Sequence, residues 1–373
     1  MTTLPDLKQC VLDLITTCDG DLPLFMRVGS GNEADKAVFG KILVEFNRQI
    51  NFESIMVCDS ALYSQENLKL IEHLKWISRV PLTIKKAKDL VQNVATKDLK
   101  SESEAENSQL KLSGYKWHES LVNYGGIQQV WLVVSSENRQ KSDLAKLEKN
   151  RKNDRDKAEK MLKDLQGMKF EHPEVARYKL TGINRKLHLF EIAEVELIES
   201  HSKGQQTIYK MTGVVREKTE EIAKRSQEAG RFILATNLVG VEPLKPSEIL
   251  IVYKNQQSCE RGFRFLKDPL FFADSFFVEN PERIETMLFL MSLCLLVYNL
   301  GQRELRNSLK RDKAGVKSQV GKFTNSPTLR WIFQCFQGIH LVTLNGVQQI
   351  INLTEERHSI LNFLPSSCQK YYL

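Results

Sequence analysis

Residues 57–81, VCDSALYSQENLKLIEHLKWISRVP, carry the reading on which the fold turns. A short apolar run, Ile55–Cys58, stops at Asp59. A helix is expected near Gln65–Leu74, and Lys75–Val80, KWISRV, reads as a second short strand. Strand, helix and strand in quick succession form the unit of an α/β sheet. Asp59 then stands at the end of a buried strand, where open sheets place functional residues. A loop acid or a helix cap is the plainer role for a lone aspartate.

Upstream, QCVLDLIT (9–16) and LPLFMRV (22–28) are apolar runs on either side of Asp19-Gly20-Asp21. An Asp-Gly turn between two such runs signals a hairpin. The following stretch, GSGNEADKAVFGKILVEFNRQI, places Phe39, Leu43, Phe46 and Ile50 on one face of a helix. Ser30 or Asn32 suits its N-cap, and Glu33 and Asp35 suit the positive end of its dipole. Gly29-Ser30-Gly31-Asn32-Glu33-Ala34 also fits the GxGxxA pattern of dinucleotide-binding folds. Two features favour a simple helix entry. The strand before it is the second arm of a hairpin, and Glu33 and Asp35 would repel a pyrophosphate. No nucleotide cofactor is expected.

Downstream the character changes between about residues 85 and 230. SESEAENS (101–108) reads as a polar loop, and Trp131–Val134 as a strand. Arg139–Asp164 holds ten basic and six acidic residues around a thin stripe of Leu144, Leu147, Ala158, Leu162 and Leu165, which fits a solvated helix or, as an alternative, a DNA-facing arm. LHLFEIAEVELIE and TIYKMTGVV are strand-like. RFILATN, from Arg231, is a buried-strand pattern, and Pro243, Pro246 and Ser247 lead into a helix that runs to Pro269. A second apolar helix covers Glu282–Leu300, and residues 303–322 carry seven basic and two acidic side chains, a polyanion-facing composition.

The 373 residues suggest two or three units, or one core with a large insertion, at ~100–200 residues per domain. With 42% hydrophobic and 27% charged residues, disordered, collagen-like and fibrous chains are excluded. The net charge of +7 permits a polyanionic partner. Seven cysteines with no CxxC pair give neither a disulfide framework nor a zinc site, so a reducing cytoplasmic compartment is expected. The N-terminal residues show no signal-peptide pattern. Met287–Leu300 is shorter than the ~20 residues that cross a bilayer and is read as a buried core helix, so no membrane partner is expected.

The chemistry-bearing constellation lies on the helix after RFILATN. Tyr253, Gln256, Glu260 and Lys267 are offset by 0, 3, 7 and 14 positions. At ~100° per residue they fall within a sector of about 60°, with Arg264 close by. A ring, an amide, a carboxylate and two cations then share one face. That is either a mixed solvent-exposed stripe or an arrangement for holding a metal near a phosphate backbone.

Together VCDSALYSQENLKLIEHLKWISRVP and VYKNQQSCERGFRFLKDP (252–269) resemble DDE transposases of bacterial insertion sequences, within the group whose glutamate helix carries Y-x2-R-x3-E-x6-K. The resemblance runs over most of the chain, from Pro5 onward. It implies a ribonuclease H-like α/β core. Its mixed sheet is flanked by helices and interrupted by a large β-rich and helical insertion. The expected parts are 1–84 and 231–302 for the core, 85–230 for the insertion and 303–373 for a basic C-terminal segment and tail. It further implies Mg²⁺ in a two-metal site held by carboxylates, here Asp59 and Glu260, and a partner of double-stranded DNA, bound as a homodimer. Tyr253 and Lys267 would contact the transposon end. Gln256 replaces the arginine of the pattern, and Arg264 is a candidate substitute. The family's first aspartate sits on a strand before the hairpin, so that strand and its acid are expected to be missing and the chain to be inactive. A non-catalytic DNA-binding remnant and a metal-dependent nuclease of the same fold are the alternatives.

Overall fold

The computed structural model describes residues 10–33, 35–50, 53–103, 112–201, 207–240, 243–267 and 280–372. Ala34, most of the polar loop after Ser103, and Pro269 lie outside the described residues. The chain opens with β1 (Cys10–Thr16), β2 (Pro23–Ser30), α1 (Asp35–Ile50), β3 (Met56–Cys58), α2 (Gln65–Leu70), β4 (Trp76–Val80) and α3 (Lys85–Asn93). The middle holds β5 (Tyr115–Tyr124), β6 (Ile127–Ser136), α4 (Glu137–Gly167), α5 (Pro173–Asn184), β7 (Phe190–His201), β8 (Thr207–Glu217), α6 (Thr219–Glu228) and β9 (Arg231–Thr236). The last part holds α7 (Pro246–Lys254), α8 (Gln257–Leu266), α9 (Pro281–Arg311), β10 (Val316–Lys317), β11 (Phe323–Thr324), α10 (Leu329–Phe336), β12 (His340–Leu344), β13 (Val347–Ile351) and α11 (Glu355–Leu361). Two compact units form: residues 1–38, 45–50 and 254–373 in one, and 39–44 and 51–253 in the other.

The second unit is built on a mixed five-stranded sheet in the order β3-β4-β9-β6-β5. β3 runs parallel to β4, and the other neighbours are antiparallel. All six residues of β9 are buried. On one face Phe232, Leu234, Val130, Leu132, Val134, Trp117 and Ile77 pack with Ile249 and Leu250 of α7. On the other face Trp131, Val133, Ile233, Ala235 and Trp76 are also buried. A strand covered on both faces reads as a continuous apolar run, and RFILATN does. Its polar ends are satisfied. The Thr236 hydroxyl donates to the Trp76 carbonyl at 2.7 Å, and Arg231 donates to the carbonyls of Val91 and Val94 at 2.9 and 2.6 Å. Burial holds the Arg231 guanidinium below its ordinary pKa. Behind the sheet the Tyr63 hydroxyl donates to Gln129 at 2.5 Å and receives the Trp131 indole N–H at 2.8 Å.

The stretch expected as an insertion divides in two. β5 and β6 extend the main sheet. The β7–β8 hairpin instead packs with α4 and α5 around Ala158, Leu165, Phe190 and Met211. Asp154, on α4, ties this part together: one carboxylate oxygen accepts the backbone N–H groups of His188, Leu189 and Phe190 at 2.9, 2.7 and 3.3 Å. The charge-rich stretch 139–164 is a long helix, with Asp154, Ala158 and Leu165 as its buried residues.

In the first unit β1 and β2 pair antiparallel, as the Asp-Gly turn requires, with Gly20 at φ +82° and Asp21 at φ +61°. Leu14 of β1 packs with Leu266 and Leu295. At Gly262 a Cβ would meet Leu14 Cδ2 at 2.9 Å, so a larger residue there would push the Leu14 side chain aside. Two expectations fail here. The helix expected from Ser247 to Pro269 is broken: α7 ends at Lys254, Asn255 and Gln256 form a turn, and α8 begins at Gln257. The apolar run Met287–Leu300 was expected to be too short to span a bilayer and to be buried. It belongs to a 31-residue helix, α9, which is long and apolar enough to do so, with a mean hydropathy of 1.7 over 18 residues. One face of α9 is buried through Leu288, Leu295, Leu305 and Leu309, while Phe289, Leu290, Leu293 and Val297 are exposed. The run looked short because Gln302, Arg303 and Glu304 end its hydropathy, whereas the backbone continues as helix to Arg311.

Arg231 offers a test of the sheet assembly. Arg231→Met keeps the chain length but leaves two buried carbonyls without a donor. It should lower unfolding stability by about 3 kcal/mol. Urea unfolding followed by tryptophan fluorescence measures this, and a loss under about 1 kcal/mol would show that the carbonyls find other partners.

Candidate active site and nucleic-acid interface

Asp59 stands immediately after β3, in the second unit, and is exposed. Its Oδ1 accepts the Ala61 N–H at 2.8 Å, and its carbonyl accepts the Ser78 hydroxyl at 2.8 Å. The parallel pairing of β3 with β4 brings Ser78 there. The second carboxylate oxygen has no partner among the described residues. Asp59 is thus a fixed strand-end acid with one oxygen to offer.

Glu260 lies in the first turn of α8, in the first unit, and is also exposed. Its charge helps hold the neighbouring Arg261 guanidinium above its ordinary pKa, behind the larger contributions of the Asp21 hydrogen bond and Asp21 charge. Arg264 is in the last turn and Lys267 is the C-cap, both exposed. Glu260, Arg264 and Lys267 therefore keep a shared face at i, i+4 and i+7. Tyr253 does not join them on one helix, because the break at Asn255–Gln256 precedes α8.

Tyr253 belongs to α7, and its ring lies 6.4 Å from that of Phe232. It hydrogen-bonds Arg79, whose guanidinium sits 5.6 Å over the Phe232 ring; Arg139 sits over the same ring at 5.5 Å. Burial first and the Arg139 charge second hold Arg79 below its ordinary pKa. These two arginines were not singled out in the sequence. Only the sheet, with β4 and β6 either side of β9, brings them together.

Gln256 is the N-cap of α8, but its side chain makes no capping bond. Its Oε1 is buried and has no hydrogen-bond partner among the described residues. Asp13, Asp19, Asp21 and Glu33 are each committed to an arginine. Asp13 pairs with Arg27, its cross-strand neighbour, at 2.8 Å. Asp21 pairs with Arg261 at 2.5 Å, and Asp19 with Arg303. Glu33 pairs with Arg27 at 2.6 Å, and its carboxylate occupies the space a side chain at Gly29 would need. The Gly29–Glu33 stretch leads out of an antiparallel hairpin. Asp59 and Glu260 are hard oxygen donors of the kind magnesium takes. Among the described residues no three His, Cys, Asp or Glu side chains gather as a metal cage.

A strand-end aspartate and a glutamate on a helix following β9 are the positions that a DDE reading requires. A family model described as a transposase DDE domain matches residues 8–300, well over half of the chain. The chain belongs to this family. No curated protein and no solved structure matches it. The transposase domain match takes in the hairpin, both exposed carboxylates, the whole of α8 and the apolar part of α9. Residues 301–373, with the basic end of α9, lie beyond it. DNA is the partner that the transposase family acts on.

Gln256 separates packing from function. Gln256→Met removes a buried oxygen that lacks a partner, so the transposase should keep its stability or gain up to about 1 kcal/mol. Thermal unfolding checks this. A loss of more than about 1 kcal/mol would mean that the amide is bonded in the folded chain.

Proposed function

We propose that the chain is a transposase core that cuts and rejoins duplex DNA at the ends of a mobile element, with Asp59 and Glu260 as its catalytic carboxylates. The family match over residues 8–300, which contains both acids, carries this reading. The core is read as ribonuclease H-like: the β1–β2 hairpin, α1, the parallel β3–β4 pair around α2, and the α8 glutamate helix. Residues 85–230 are the insertion, its first hairpin added to the core sheet. Asp59 and Glu260 would hold magnesium through their carboxylate oxygens, together with waters and phosphate oxygens. Such an ion supplies activation of water or a 3′-hydroxyl and stabilises the leaving oxygen.

The chain's own residues do the positioning. Ala61 N–H and Ser78 fix Asp59 at the strand end. Arg264 and Lys267, on the Glu260 face, would neutralise backbone phosphates beside it. Tyr253, held against Arg79 and Phe232, would contact the DNA end, with Gln256 at the position of the family arginine. The acting form is read as a homodimer on DNA in the cytoplasm, where the seven cysteines, all unpaired, would stay reduced.

One observation favours a second reading, a chain that binds DNA without cleaving it. Asp13, Asp19 and Asp21, the acids nearest the N-terminus in the described residues, are all tied to arginines. None of these three is free to join Asp59 and Glu260 as a third carboxylate.

A cleavage assay decides between them. The purified chain is mixed with magnesium and a plasmid carrying its coding sequence and flanking DNA. Nicked and joined products are expected, reduced at least about 10³-fold by Glu260→Gln and by Asp59→Asn, with DNA binding kept. Binding without products supports the second reading. Cleavage that both substitutions leave intact would remove these two residues from the site.

A further inference from the structure

In the first unit, the β1–β2 turn, Arg261 of α8 and one face of α9 enclose a cavity of about 240 Å³. Its wall on α9 includes Arg303, Arg306, Asn307 and Lys310, at i, i+3, i+4 and i+7, which is one helical face. At about 30 Å³ per water, there is room for a tetrahedral oxyanion and several waters.

The charges are unevenly spent. Four cations, Arg261, Arg303, Arg306 and Lys310, line the cavity against two carboxylates, Asp19 and Asp21. Arg261 grips Asp21 through two N–H bonds, at 2.5 and 2.7 Å, and Asn299 donates to the Asp21 carbonyl at 2.7 Å. Arg303 grips Asp19 and touches Glu304 at 3.4 Å. Both carboxylates are thus neutralised and fixed. Arg306 is used differently. Its Nε donates to the Pro327 carbonyl at 2.9 Å, which holds the guanidinium in place. Its two terminal nitrogens have no acceptor among the described residues. Burial pushes its pKa down, against the opposing pull of the nearby Asp21 charge, and the Arg261 charge adds to the fall. Lys310, one turn on and exposed, makes no ion pair among the described residues. Asn307 stands between them.

A planar guanidinium with two free N–H arms, a nearby ammonium and a side-chain amide suit a phosphate oxyanion. We propose that this cavity seats a backbone phosphate of duplex DNA, gripped by Arg306 and Lys310, with the Asp21–Arg261 and Asp19–Arg303 pairs holding its walls. The proposal rests on the transposase reading for the identity of the polyanion.

The test is fluorescence anisotropy of the full chain with a short labelled duplex, between about 50 and 200 mM salt. Removing one phosphate contact lowers the slope of log affinity against log salt by about 0.9. Lys310→Gln should lower it by about that amount, and Arg306→Gln with Lys310→Gln by more, with affinity falling about tenfold at the low-salt end. Lys88→Gln, an exposed charge loss on α3, should leave the slope unchanged. If Arg306→Gln fails to fold, Arg306→Lys and the exposed Lys310→Gln carry the test. A wild-type slope in Lys310→Gln, or an equal fall in Lys88→Gln, overturns the proposal while leaving the transposase reading intact. No duplex binding by the unaltered chain overturns both. A free anion is the rival occupant. If inorganic phosphate raises the melting temperature only when Arg306 and Lys310 are present, and the DNA slope does not move, the site takes free phosphate and the DNA proposal falls.

Discussion

The second unit depends on burying six consecutive residues of β9 between strands from distant parts of the chain. β9 pairs with β4 on one side and β6 on the other. Neither pairing is local, so the closure entropy of long loops must be met before either ladder forms. Burial on both faces supplies the return. Each of Phe232, Ile233, Leu234 and Ala235 contributes at most about 1–3 kcal/mol. The polar ends decide whether that gain survives. Arg231 and Thr236 would each cost more than a neighbouring leucine provides if left unpaired, and both are bonded to backbone carbonyls. Those bonds also fix α3 and the start of β4 against the strand.

That strand was legible in the sequence because double-sided burial leaves an apolar run. So were the hairpin, from its Asp-Gly turn, and the β3–α2–β4 succession. The sheet order was not legible. β5, YKWHESLVNY, buries only Trp117 and Val122, on opposite faces, and places Lys116, His118 and Glu119 among them, so no apolar run announces it. Its membership of the main sheet follows from pairing with β6, a fact about partners. The helix break was missed for another reason. Asn255-Gln256-Gln257 contains neither proline nor glycine, and the periodicity of polar groups continues smoothly across it. Nothing local ends α7; Ile249 and Leu250 pack onto the sheet in one unit, while α8 packs by Leu266 against Leu14 in the other.

The candidate site was legible to the same degree. Asp59 was readable because a strand-end acid interrupts an apolar run, and its placement after β3 agrees with that. The common face of Tyr253 with Glu260 depended on helical continuity and went with it. Arg79 and Arg139 could not be found, since they lie sixty positions apart in sequence and meet on a ring contributed by β9. The pairing of the hairpin acids was not legible either. Asp13, Asp19 and Asp21 each meet an arginine, and for Asp19 and Asp21 that arginine lies more than two hundred positions away.

The division of labour along α9 links packing to charge. Leu305 and Leu309 are fully buried with Leu329 and Ile332, and they fix the rotation of the helix about its axis. Arg306 and Lys310 follow each of them by one position, about 100° round the helix. The burial that stabilises the C-terminal part therefore also sets the direction of both cations. Rotating the helix to hide the charges would expose two leucines, at about 2 kcal/mol each. Gln302 reinforces the setting, since its side-chain oxygen accepts the Leu329 N–H at 3.0 Å from a buried position. The cationic face points into the cavity because the apolar face has no other place to go.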